Sequence, residues 1–323
     1  MDPQQYHLTD PQGWRRALEA FPVLPEEKRV ARLAPPLPGK RLSMVLDTDA
    51  YNEIDDQFAI AYALSSPDRL DVQAVYAAPF FNERSVSFGD GMEKSYEEIG
   101  RVLQRLGKTG QVPVLRGSTG HLAEGLQSSE AAQDLVRRAM MAQDTLYVVS
   151  IGAITNVASA LLLEPRIAEK IVVVWLGGHA HNWSDTCEFN LDQDRLAARL
   201  VLDCGVPLVQ MPCLNVVDHL TTTVAELERF LEPKSAIGAF LTENVRSEVA
   251  KYAPADYPAS RVIWDLVPVA WLVDPSRVDT RLTHTPRLTG EGTWSLDTRR
   301  PLMRVGASLN RDAIFADVFQ KLG

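Results

Sequence analysis

The sequence predicts a single large α/β domain in which a mostly parallel sheet is flanked by helices. Strand-like and helical patterns alternate along the 323 residues without a linker-like break. Two runs, 145–151 and 171–176, are so apolar that only a sheet covered on both faces would bury them.

Residues 1–40 read as an N-terminal extension that wraps onto the domain. Trp14 and Leu18 share a short helical pattern, and the Pro-rich text 34–39 punctuates against regular structure. The domain proper, 41–323, opens on MVLDTDAYNEIDDQFAIAYAL from Met44 to Leu64. This is a buried strand leading into Asp47, Asp49, Asp55 and Asp56, after which Phe58, Ile60, Ala61 and Leu64 recur at helical spacing. A strand over 71–77, a helix over 91–106, a strand over 112–115 and a helix over 130–141 follow. The strand 145–151 turns through Gly152-Ala153-Ile154-Thr155-Asn156 into a helix ending near Leu163, where Pro165 stops it. After strand 171–176 come Gly177-Gly178 and a polar segment, 179–190, whose place beyond a strand end marks it as site lining. Helix 192–202, strand 206–211 and helices 224–231 and 236–252 continue the pattern. Asp265 is placed to cap a helix with Pro268 in its first turn. The tail, 281–323, reads as turns and strands closed by a helix over 312–322.

A net charge of −9 and a pI near 5.3 oppose binding to nucleic-acid polymers or anionic membranes, which needs a basic face. The expected partner is a small molecule. The N-terminus is polar and no run of about 18 apolar residues occurs, so a soluble cytoplasmic protein is expected. Cys187, Cys204 and Cys213 lack any C-x-x-C spacing and read as buried thiols.

The chemistry concentrates in the acidic loop. Carboxylates so close repel by about 4 kcal/mol per pair at an effective dielectric near 20 unless a positive charge sits among them. Oxygen ligands without nearby Cys or paired His point to a hard divalent ion, calcium above all, and away from zinc. An EF-hand is ruled out, because its sixth position from Asp47 is Asn52, not Gly, and its twelfth is Phe58, not Glu.

Asp47-Thr48-Asp49 followed by Asp55-Asp56 and an apolar helix resembles the amino-terminal signature of the inosine-uridine preferring nucleoside hydrolases, D-x-D-P-G-x-D-D. Val148 to Ala158 resembles the family's strand and Gly-x-x-Thr-Asn helix start, and Asn182 with Glu188-Phe189-Asn190 its sugar-binding stretch. The resemblance implies a Rossmann-like sheet and metal-dependent hydrolysis of the N-glycosidic bond of ribonucleosides, in purine or pyrimidine salvage. It implies that Ca2+ is held by Asp49, Asp56, Asp265 and the backbone carbonyl of Ile151. Asp49 would also be the base that takes a proton from the attacking water. Asp55, Asn182, Glu188 and Asn190 would bind ribose, with Asn82 a further sugar contact, and the protein would be a homo-oligomer.

Two departures stand out. Five residues, Ala50 to Ile54, separate the second and third aspartates where the family has three, and the Pro-Gly pair is missing. Trp264 stands before Asp265, where the family commonly has the His assigned to protonating the departing base. Three readings stay open: Trp264 stacks on the base, or His179, His181 or His219 supplies the acid, or Trp264 is a core residue. Two other classes stay open. A strand ending in D-x-D also starts haloacid-dehalogenase-type phosphohydrolases, with Asp47 as nucleophile, although no Gly-Asp-x-x-x-Asp follows. A nucleoside-binding protein that has lost turnover is the other.

Overall fold

Leu42–Thr48 forms β1, and its apolar residues divide between two cores. Met44 and Leu46 enter one and Val45 the other. The computed structural model describes residues 7–254 and 257–323; the polar start of the extension, 1–6, and residues 255–256 lie outside the described residues. The other strands of the main sheet are β2 (Leu70–Ala77), β3 (Val114–Arg116), β4 (Leu146–Ser150), β5 (Ile171–Leu176), β6 (Leu208–Met211), β7 (Val278–His284) and β8 (Leu302–Leu309). Their order is β3-β2-β1-β4-β5-β6-β8-β7. Every pairing is parallel except that of β7 with β8, so the expected mostly parallel, Rossmann-like sheet is present. The chain runs outward from β1 through β2 to β3, then restarts at β4 and runs the other way. The switch point therefore lies between the C-terminal ends of β1 and β4.

Among the described residues twelve helices accompany the sheet: α1 (Pro11–Glu19), α2 (Glu26–Leu33), α3 (Asp56–Leu64), α4 (Phe88–Arg105), α5 (Glu130–Met141), α6 (Thr155–Leu163), α7 (Phe189–Gln193), α8 (Arg195–Asp203), α9 (Val224–Phe230), α10 (Ala236–Val249), α11 (Leu266–Val273) and α12 (Arg311–Leu322). Residues of α3, α4, α10, α11 and α12 pack on one face, and those of α1, α5, α6 and α8 on the other. Strand β5 serves both, sending Val172 and Val174 to the first and Val173 and Trp175 to the second. Among the described residues no helix is long and apolar enough to cross a membrane.

Four local expectations are corrected. The extension holds a second helix, α2, whose Leu33 is buried in a core and whose Leu33 carbonyl accepts from Arg304. The expected helix 192–202 is two helices, because Asp194 leaves the helical region and turns its carboxylate to Ala197 N, Leu122 N and Thr155 Oγ1. Strand β7 starts at Val278, three residues before the expected tail, because it pairs with β8 along its whole length. Cys187 is exposed, since it sits in the polar loop before α7; only Cys204 and Cys213 are buried.

Asn156, at the start of α6, joins the strand ends around the switch point. Its Nδ2 donates to Asp47 Oδ1 at 2.8 Å and Ala77 O at 3.3 Å, and its Oδ1 accepts from Ser118 N at 2.7 Å. Burial pushes the Asp47 carboxyl up to about 7, against hydrogen bonds from Asn156 and Ser150 that favour its charged form. Asn156→Ala strips partners from several buried polar groups at once, so urea denaturation should show a loss of about 2–4 kcal/mol. A loss under about 0.5 kcal/mol, the range of an ordinary surface change, would show that this network does not brace the strand ends.

Candidate active site

Asp49 leaves β1 just after its last residue, and the chain closes a tight turn in which Asn52 N donates to Asp49 O at 2.7 Å. Facing it, the loop after β4 comes so close that a Cβ on Gly152 would stand 2.8 Å from Asp49 Oδ1. Only glycine allows that approach. The buried Oδ2 of Asp49 has no hydrogen-bond partner among the described residues.

Asp55 and Asp265 occupy the N-cap positions of α3 and α11, yet neither side chain caps its own helix. The expected cap by Asp265 is thus absent, and its backbone is held instead by Asp55. Asp55 Oδ2 accepts from Trp264 N at 3.0 Å and Asp265 N at 3.4 Å, which frees the Asp265 carboxylate for the cavity. Asp56 accepts from Thr48 Oγ1. Asp55, Asp56 and Asp265 each bring one carboxylate oxygen within 4.8 Å of the others. All four aspartates are at most 4% exposed. The positive ends of α3 and α11 offset part of their charge.

These residues line a cavity of about 290 Å³ at the switch point, together with Ile151, Glu188, Asn190, Trp264 and His179. Glu188 accepts from Gly178 N, Asn190 N and Leu191 N at 2.8, 2.9 and 3.1 Å, and Asn190 Nδ2 donates to Leu176 O at 3.2 Å. Two expected residues lie outside the lining. Asn82 stands behind Asn52, and Asn182 is exposed, with its Oδ1 3.4 Å from Asn215 Nδ2. His179 is the one of the three histidines in the wall. His181 Nε2 bonds Gln210 Oε1 at 2.8 Å, and His219 is exposed. Asp47, the nucleophile of the phosphohydrolase alternative, is held by Asn156 and Ser150 and does not line the cavity.

Asn52, Glu53, Leu176, Cys213 and Leu214 also line the cavity and were not foreseen. The last three follow the rule that ligands collect beyond parallel strand ends, as β5 and β6 end at Leu176 and Met211. Asn52 and Glu53 come from the longer loop, and no motif marks them.

Burial, reinforced by mutual repulsion, drives Asp49, Asp55 and Asp265 well above the ordinary carboxylate range. Burial likewise carries Asp56 and Glu188 to about 7, and lowers His179 from the ordinary imidazole value. An all-oxygen donor set, crowded charge without a cation in the cavity wall, and an orphaned Asp49 oxygen together fit a hard divalent ion.

Comparison with known proteins identifies the family and the fold. The family model for inosine-uridine preferring nucleoside hydrolases matches residues 44–316. The chain is 25% identical over 318 residues to the pyrimidine-specific ribonucleoside hydrolase RihA of Klebsiella pneumoniae strain 342, covering 87% of this chain and 98% of that one. It is 27% identical over 320 residues to RihA of Escherichia coli O45:K1 strain S88, covering 86% and 96%. Among solved structures it resembles a plant nucleoside hydrolase, with a TM-score of 0.72 at 19% identity over 88% of this chain and 99% of that one. A purine-preferring ribonucleoside hydrolase from Gardnerella vaginalis gives 0.70 at 20% identity over 87% and 98%.

The raised carboxylates set the pH dependence of stability. A folded-state value above the ordinary 3.8 means that protonation favours the fold. That contribution is complete below the ordinary value and is lost as pH rises through about 7, the folded value of Asp56. A cation that binds the ionised cluster should therefore stabilise more as pH rises. Excess calcium added to chelator-treated protein should raise Tm little at pH 5 and by several degrees at pH 8. Equal shifts at both values would show that these carboxylates are not the ligands.

Proposed function

The chain belongs to the inosine-uridine preferring nucleoside hydrolase family and is an N-ribosyl hydrolase of ribonucleosides; from that premise we propose that the acidic cavity is where the glycosidic bond breaks, with calcium as the ion. The observation that carries this reading is the buried, unpartnered Oδ2 of Asp49 beside the trio Asp55, Asp56 and Asp265. Asp49, Asp56, Asp265 and the Ile151 carbonyl are the proposed ligands. When bound, the ion offsets the carboxylate charge, keeps Asp49 ionised and acidifies the attacking water.

The residues of the chain do the rest. Asp49 accepts the proton of the water as it attacks the anomeric carbon. Asp55 and Asn190 grip the 2′ and 3′ hydroxyls, and Glu188 holds the 5′ end, with Asn182 joining it from the exposed loop. Trp264 offers its ring to the base. Attack comes from the carboxylate side, opposite the departing base, so the sugar is released with inverted configuration. Family likeness alone supports the wider setting we propose, nucleoside salvage in the cytoplasm by a homo-oligomer.

Two measurements test the reading. Asp49→Asn keeps the shape but loses the base, so kcat should fall about 100-fold or more on uridine and inosine. A variant with near wild-type turnover would remove Asp49 from the mechanism. The second compares a ribonucleoside with its 2′-deoxy partner. A site built to bond a hydroxyl rejects the analogue lacking it by as much as about 10⁴-fold, so deoxynucleosides should be very poor substrates. A kcat/KM ratio near one would show that Asp55 and Asn190 do not hold ribose.

A further inference from the structure

Asn52, in the longer loop, lines the cavity, and its amide orientation follows from a chain of hydrogen bonds. Asn82 Oδ1 accepts from Arg84 N at 2.9 Å, so its Nδ2 is the end that faces Asn52, and it donates at 2.7 Å. The atom that receives this bond must be Asn52 Oδ1. Asn52 Nδ2 is then the free end. It has no acceptor among the described residues, while the side chain is 7% exposed and lines the cavity.

The loop is braced in this pose. Arg84 Nη1 donates to Asn52 O at 2.9 Å, and its guanidinium lies 5.0 Å from the centre of the Tyr51 ring. Glu53 pairs with Arg261, three residues before Trp264. Asp55, at the end of the same loop, accepts from Trp264 N. Asn52 thus belongs to the Trp264 side of the cavity, whereas Glu188 ends the loop after β5 and Asn190 lies in α7.

We infer that Asn52 is a further catalytic and specificity-determining residue, whose Nδ2–H groups donate to a keto oxygen of the departing base, and that Asn82 is its positioning residue. The inference rests on the nucleoside hydrolase reading above. When the C1′–N bond breaks, its electron pair goes to the base, and in uracil or hypoxanthine the charge spreads onto the keto oxygen. A fixed amide donor stabilises that charge as it develops, and the released anion takes its proton from water. Trp264 cannot donate a proton at neutral pH, and this loop supplies stabilisation of the leaving group that does not depend on one from Trp264.

Wild type, Asn52→Leu and Asn82→Leu should be assayed on uridine, inosine and p-nitrophenyl riboside, whose leaving group needs no such help, with Tm measured for each. A wild type inactive on all three would overturn the nucleoside hydrolase reading itself. Given activity, Asn52→Leu should lower kcat/KM on uridine and inosine by about tenfold or more, mainly through kcat, and leave p-nitrophenyl riboside within about twofold. Asn82→Leu should give a smaller loss in the same pattern, since Asn52 keeps its donor but loses its anchor. Equal losses on all three substrates, or no loss on any, would overturn the assignment.

Discussion

Crowded negative charge at the end of β1 is the constraint on which the rest of this structure depends. Asp49, Asp55, Asp56 and Asp265 are removed from water within one cavity wall, where burial and repulsion both oppose ionisation. The surrounding fold is arranged to hold them there. The starts of α3 and α11 are aimed at the cluster, Gly152 lets the β4 loop approach Asp49, and Asp55 caps the Trp264–Asp265 turn so that Asp265 is left for the cavity. Such a site opposes folding unless a cation completes it, and the two packed cores must carry that load.

The layered fold was legible because its signals are local. Buried strands such as Ile171–Leu176 are apolar throughout, and the order of strands and helices leaves few parallel topologies. The acidic residues were legible for a similar reason, since a strand running into four aspartates has no ordinary structural use. What stayed hidden depends on contacts distant in sequence. The second helix of the extension is short, and its burial comes from docking against residues near Arg304. The break at Asp194 depends on Leu122 and Thr155, residues far away in the chain. Asp265 reads as a helix cap because sequence cannot show that Asp55, from 210 residues earlier, holds its backbone while its own carboxylate lines the cavity.

The two departures from the family pattern look unrelated in the sequence, one being a loop length and the other a Trp in place of a His. In space they meet. Glu53 reaches Arg261 on the strand leading to Trp264, and Asp55 fixes the Trp264 backbone, so the longer loop and the Trp264 segment form one wall. An imidazole can protonate a leaving base from one position. An indole cannot; it stacks on a base, and its Nε1–H can donate a hydrogen bond but not a proton at neutral pH. With Trp264 in that place the donor proposed for the base is Asn52, from the neighbouring loop that carries the added length. Asn82 completes the argument: it stands outside the lining as a prospective sugar contact, but as the anchor of Asn52 it orients the amide that faces the base.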